Sequence, residues 1–229
     1  MNGFSLANRM HALLDHKRNI KHMEKGSFLF HESTPADDIY YILNGKVELS
    51  KAVPDGRDLT LRICSENDLV GETILFSKNP KYMMNAKMLE DGHVAVISKE
   101  TLEKKISSDS SLAIDTITWL SAQNRRNQAK FRDMLLHGKK GAFYSTLIRL
   151  SNSYGKDTED GKVINFSFTN QELANFCGTS REVVNRMLAH LRKNEVVSIK
   201  KGLITILDID YLKQEIDCEN CPIEICTIH

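Results

Sequence analysis

Two short segments near the C-terminal end constrain the fold most. Thr169-Asn170-Gln171-Glu172 and Thr179-Ser180-Arg181-Glu182 each set a threonine three residues before a glutamate. In that pattern the hydroxyl caps a main-chain N–H and the carboxylate reaches back to the cap residue. They predict two helices beginning ten residues apart, joined by a turn through Cys177-Gly178. Leu173, Ala174 and Phe176 can pack the short first helix, and Val184, Leu188 and Leu191 recur at helical spacing along the second. The other side of that second helix carries Arg181, Glu182, Asn185 and Arg186, with Ser180 at its start. Val196-Val197-Ser198-Ile199 and Leu203-Ile204-Thr205-Ile206-Leu207, separated by Lys200-Lys201-Gly202, then predict a β-hairpin wing. A helix-turn-helix of this kind can lay its second helix in the major groove of double-stranded DNA.

The N-terminal part obeys a different period. Short apolar runs, Ser27-Phe28-Leu29-Phe30, Ile39-Tyr40-Tyr41-Ile42-Leu43, Lys46-Val47-Glu48-Leu49-Ser50 and Val94-Ala95-Val96-Ile97, alternate with turn signals at Asn44-Gly45, Pro54-Asp55-Gly56 and Asp91-Gly92. Asn-Gly between two strand-like runs predicts a tight hairpin there. Many short strands with such punctuation form a sandwich, a barrel or a jelly roll. From about Ser111 the spacing becomes helical. Ile117, Leu120, Asn124, Asn127, Phe131 and Met134 mark one seam, in which polar layers can set register and two-strandedness; it suits a homodimer or an amphipathic helix lying on its own domain. Gly138-Lys139-Lys140-Gly141 marks a break and a domain boundary.

Charge is distributed unevenly. The net +1 of the 229 residues conceals a basic stretch from Thr169 to Gly202, six bases against three acids, and an acidic one from Asp208 to His229, six acids against one base. The first suits nucleic acid and the second does not. No run approaches the roughly 20 apolar residues that span a bilayer. Met1-Asn2-Gly3-Phe4-Ser5 has no apolar core of a secretory signal, so a cytoplasmic protein without a membrane partner is expected. No Ser/His/Asp or paired-carboxylate arrangement and no thioredoxin-like pattern suggests an enzyme.

Three of the five cysteines lie in the tail, as Cys218-Glu219-Asn220-Cys221-Pro222-Ile223-Glu224-Ile225-Cys226. Close thiol spacing without an export signal points to metal or redox chemistry. Thiolates select zinc, copper(I) or iron–sulfur centres. A zinc site could add His229, and a thiol–disulfide switch could join Cys218 to Cys221.

Asn44-Gly45-Lys46-Val47, Asp68-Leu69-Val70-Gly71-Glu72 and Thr179-Ser180-Arg181-Glu182-Val183-Val184-Asn185-Arg186-Met187-Leu188 resemble the Crp/Fnr family of bacterial transcription regulators, over essentially the whole chain. The resemblance implies an α+β protein. A β-roll, a cyclic-nucleotide-binding-like jelly roll, is expected over 1–105 and a long dimerisation helix over 106–138. A winged helix-turn-helix would follow over 139–212, and a cluster-binding tail over 213–229. The cysteine run resembles the Bacillus-type Fnr regulators, which carry an oxygen-labile 4Fe-4S cluster at the C-terminus. No cysteine precedes Cys64, which excludes the branch with N-terminal cluster cysteines.

Cys218, Cys221 and Cys226 would ligate three of the four irons. For the fourth, the residues alone leave His229, Cys177 and Cys64 open; the resemblance implies an aspartate at the place of Asp133. Arg181, Glu182 and Arg186 match the recognition residues of the Crp branch, with Ser180 and Asn185 beside them, which implies TGTGA half-sites in a palindrome. The resemblance further implies an oxygen-responsive activator of anaerobic genes that works with RNA polymerase, its tail clamped by the cluster and loosened when the cluster is lost. The alternative is a zinc-stabilised or thiol-redox regulator without a gas-sensing cluster. In cyclic-nucleotide-binding relatives an Arg-Ser pair grips the cyclic phosphate. Here Tyr82 and Met83 stand in its place, and Lys78 and Lys81 are expected on an exposed loop, which argues against cyclic AMP.

Overall fold

Alternating apolar residues build the front of the molecule as two facing four-stranded antiparallel sheets. A computed structural model describes residues 6–10, 19–53 and 56–229. Residues 1–5, and Pro54-Asp55 of the predicted turn, lie outside the described residues. One sheet has the order β1-β8-β3-β6 and the other β2-β7-β4-β5. The strands are β1 Ile20–Met23, β2 Phe28–Phe30, β3 Asp38–Asn44, β4 Val47–Ala52, β5 Asp58–Cys64, β6 Leu69–Val70, β7 Asn85–Met88 and β8 Gly92–Ser98. Ile39, Tyr41 and Ile42 of β3, Val47 of β4 and Val94 and Ala95 of β8 are buried in their common core. This is the expected β-roll. Strands β1, β6 and β7 lie outside the apolar runs of the sequence, being short or interrupted by charged residues.

Asn44-Gly45 behaves differently from its prediction. The strands on either side of it, β3 and β4, do not pair but belong to opposite sheets. Asn44 Oδ1 accepts from the His93 N–H at 2.9 Å, and Gly45, at φ 92°, packs where a Cβ would lie 3.0 Å from the Gly92 Cα. The turn is locked against the start of β8, so its left-handed glycine carries the chain across from one sheet to the other.

The helical part begins with Lys99–Ser108, capped by Ser98, and continues in the long central helix Ser110–Tyr154. The expected break falls at Gly138, whose φ 58° and ψ −146° are not helical. The chain divides into two compact units, Met1–Gly56 with Leu61–Ala122, and Arg57–Thr60 with Gln123–His229. Their boundary thus falls within the central helix, between Ala122 and Gln123, rather than at the glycine pair.

In the second unit, helices Asn170–Phe176 and Arg181–Lys193 form the helix-turn-helix. A four-stranded sheet of order β11-β12-β10-β9 accompanies it. Its strands are β9 Gly155–Thr158, β10 Gly161–Ile164, β11 Val197–Lys200 and β12 Leu203–Ile206. Lys201 at φ 51° and Gly202 at φ 78° make the two-residue turn of the wing, the twist that suits a hairpin. A last helix, Ile209–Gln214, leads into the cysteine run. No helix among the described residues is long and apolar enough to cross a membrane.

Candidate functional site

The first capping box forms as predicted. Glu172 N–H donates to Thr169 Oγ1 at 3.1 Å, and Thr169 N–H donates to Glu172 Oε2 at 2.7 Å. The second shifts by one residue: Ser180, not Thr179, caps the helix by accepting from Val183 N–H. Thr179 is instead buried in the turn, which reverses through Gly178 at φ 56°. The helix so started buries Val184, Leu188 and Leu191 and exposes Arg181, Glu182, Asn185 and Arg186 on its other side. Bonds from Ser180 and from its own backbone hold the Glu182 carboxyl below its ordinary value, so it stands ionised as an acceptor. Asn170 donates to Asn185, tying the two helices together. A cleft of about 510 Å³ opens between Thr169, Arg181 and the wing residues Ile199 and Gly202. Arginines here can take guanine edges and a glutamate can accept from cytosine.

The cysteine run lies in the same unit and rests on the central helix. Arg126 Nε donates to the Glu224 carbonyl at 2.8 Å, Arg149 Nη1 to the Ile225 carbonyl at 3.0 Å and Asn152 Nδ2 to the Cys226 carbonyl at 2.8 Å. Lys140 pairs with Glu215, and Arg132 with Glu219. The acidic tail is therefore matched by basic groups of the helix, a complementarity that counting charges along the chain did not reveal.

Asp133 is only 4% exposed, beneath this tail. Its Oδ1 accepts from Arg132 Nη2 at 2.7 Å and Nε at 3.1 Å; its Oδ2 accepts from Ser145 Oγ at 2.5 Å and Arg149 Nη2 at 3.1 Å. Burial alone would raise its carboxyl, but the bonds from Ser145, Arg132 and Arg149 hold it below the ordinary aspartate value. Arg132 also pairs with Glu219, which stands between Cys218 and Cys221. Two arginines thus join one carboxylate to both flanks of the cysteine run. These arginines escaped the sequence reasoning, since an arginine next to an aspartate in a helix has no special spacing.

All five cysteines are free thiols. Cys218, Cys221 and Cys226 are half-buried and close enough to influence one another: burial raises the Cys226 thiol, and Cys218 and Cys221 add to the rise while Arg149 opposes it. Among the described residues no group of three or more His, Cys, Asp or Glu stands at metal-holding spacing. The donor chemistry nevertheless fits an iron–sulfur group: three soft sulfurs on one loop, with a buried ionised carboxylate bonded into the same network. The other candidates for a fourth ligand are differently engaged. Cys177 is buried, bonds Thr146 Oγ1 at 3.8 Å and has its thiol pushed up to about 12. Cys64 is buried in β5 of the first unit, with its thiol likewise at about 12. The His229 ring packs edge-on against Tyr154.

In the β-roll, Tyr82 stacks flat on Phe30 at 3.7 Å and donates to the Asp38 carbonyl at 2.6 Å. Met83, Lys78 and Lys81 are exposed. Glu72, after the left-handed Gly71, pairs with the buried Arg62 at 3.5 Å.

Residues 20–109 match the profile of a cyclic nucleotide-binding domain, and residues 144–215 that of a Crp-like helix-turn-helix domain. The chain is similar to the anaerobic regulatory protein of Bacillus subtilis (strain 168), at 50% identity over 97% of this chain and 94% of that protein. It is more distantly similar to the CRP-like cAMP-activated global transcriptional regulator of Mycobacterium tuberculosis, at 24% identity over 82% of this chain and 84% of that one. Among solved structures, the c-di-GMP responsive regulator CLP of Xanthomonas campestris superposes with a TM-score of 0.77, at 22% identity over 87% of this chain and 98% of that one. FixK2 of Bradyrhizobium japonicum does so at 0.71, with 17% identity over 85% and 95%.

Proposed function

The chain belongs to the Crp/Fnr family of transcription regulators, and from that premise we propose that it is an oxygen-responsive activator of anaerobic genes whose DNA binding is governed by a 4Fe-4S cluster. Cys218, Cys221, Cys226 and Asp133 would hold the group. The observation that carries this reading is the buried Asp133, joined through Arg132 and Arg149 to both flanks of the cysteine run. Half identity to an anaerobic regulatory protein supports the anaerobic role. When bound, the cluster would supply iron sites that oxygen attacks.

The chain's own residues supply the rest. The tail follows directly from the helix Ile209–Gln214, whose Tyr211 packs on Tyr144 of the central helix. That helix in turn follows β12 of the wing, so a shift of the tail is passed within one unit to the DNA-reading elements. Arg181, Glu182 and Arg186 would read TGTGA half-sites, with Ser180 fixing the helix start and Asn185 beside them. The seam supports a homodimer on a palindrome: Ile117 is 65% exposed and Phe131 58%, and Leu120 and Met134 also face outward. Such a dimer would engage RNA polymerase at promoters. Cyclic AMP is not its effector in this reading, because stacked Tyr82 takes the place of a phosphate-binding arginine.

Anoxic purification tests the reading. Iron and sulfide should each approach four per chain, and graded addition of air should abolish binding to TGTGA palindromes while TTGAT palindromes remain poor ligands throughout. Zinc in place of iron, or binding indifferent to air, would overturn it.

A further inference from the structure

Three consecutive carbonyls of the tail, those of Glu224, Ile225 and Cys226, are each taken by a different side chain of the central helix, Arg126, Arg149 and Asn152. Two residues further on, Ile228 N–H donates to Ser153 Oγ at 3.0 Å. Ile225 and Ile228 are buried beside these bonds. The peptide on either side of Cys226 is therefore held through its main-chain carbonyls and the Ile228 amide.

Arg149 is the centre of this arrangement. It is 2% exposed and gives three different donors to three acceptors: Ser145 Oγ at 3.0 Å, Asp133 Oδ2 at 3.1 Å and the Ile225 carbonyl at 3.0 Å. A planar guanidinium can satisfy such a divergent set at once; an ammonium on a flexible stem cannot hold the same geometry. A buried carboxylate without a partner is costly. With Arg149 and Arg132 beside it, Asp133 has a paired state to return to whenever it does not ligate iron.

We propose that Arg149 is a positioning residue that holds Asp133 and the Cys226 segment in register for iron, and that the tail stays docked on the central helix when iron is lost. The proposal rests on the cluster reading above for the identity of the group. It departs from the expectation of a tail released on cluster loss: the switch would lie in the exchange of Asp133 between iron and the two arginines.

The test is hydrogen exchange on the full chain after iron removal with a chelator, read at the Ile225, Cys226 and Ile228 amides, which donate to Pro222 and Ser153. Iron-free wild type should protect these amides by about 100-fold or more, the behaviour of a docked rather than a frayed terminus. Asn152→Ala, which leaves no buried charge, should lose about tenfold of that protection at Cys226. Arg149→Lys should lose protection at Ile225 and slow the growth of visible absorbance on anoxic reconstitution with ferrous iron and sulfide, with far-UV circular dichroism unchanged. Unprotected amides in the iron-free wild type would overturn the dock. Wild-type protection and reconstitution rate in Arg149→Lys would overturn the role of Arg149, whatever Asn152→Ala shows. A wild type that protects these amides yet takes up no iron and sulfide overturns the cluster reading, and Arg149's role toward iron with it, while the dock stands.

Discussion

At the scale of single residues, burial sorts the five thiols into two kinds. Cys64 and Cys177 are enclosed, and burial pushes each thiol up to about 12, so the reactive thiolate is scarce at either position at pH 8. Iron-free protein treated with iodoacetamide should therefore be labelled at Cys218, Cys221 and Cys226 but not at Cys64 or Cys177 until it is denatured. Cys226, whose thiol burial raises, should be the slowest of the three; peptide mass spectrometry reads this directly. The exposed basic residues are expected to separate by role. Arg181→Ala or Arg186→Ala should weaken specific binding by about 1–3 kcal/mol and relax the preference at one base pair. Lys201→Ala, on the wing turn, should weaken specific and random DNA alike and lower the salt slope by about one. Competition titrations at several salt concentrations distinguish the two outcomes.

At the scale of elements, the start of the reading helix shows how a local pattern can be right in kind and displaced in position. Threonine-x-x-glutamate was legible at both helices, and Thr169 and Glu172 close both bonds of their box. At the second, Thr179 is 2% exposed and its hydroxyl makes no hydrogen bond among the described residues, because the left-handed Gly178 turns it into the packed corner. Ser180 takes over the cap. Ser180→Ala should thus lower stability by about 1 kcal/mol, whereas Thr179→Val, which removes a buried unpaired hydroxyl at constant shape, should leave it equal or higher. Urea unfolding of the two variants checks both signs. The Asn44-Gly45 turn has the same lesson: the dipeptide marks a reversal, and the packing of Gly92 and His93 against it decides that the reversal joins two sheets.

At the scale of the whole molecule, the outward seam of the central helix carries the expectation of pairing. Ile117, Leu120, Phe131 and Met134 were legible from spacing alone, and the fold leaves all four exposed, as it does Ile114, Leu135 and Leu136. Replacing Ile117 and Phe131 together by glutamate should convert dimer to monomer in sedimentation. It should also reduce affinity for a palindromic site by at least about tenfold, since two linked reading heads gain by effective concentration. A dimer of unchanged stability would place the interface elsewhere.

The strand-rich front, the long helix with its break at Gly138, the paired reading helices with Arg181, Glu182 and Arg186, and the sulfur-rich end were all legible along the chain. Each of these is written in spacings of a few residues, where side-chain direction follows directly from strand or helix geometry. That β3 and β4 part into separate sheets, that Ser180 displaces Thr179, and that Asp133 is held by Arg132, Ser145 and Arg149 beneath the tail emerged with the packed fold. The bonds that dock the cysteines link residues 74 to 98 positions apart. Such partners are chosen by which surfaces the packed core brings together, and no local period along the chain encodes that choice.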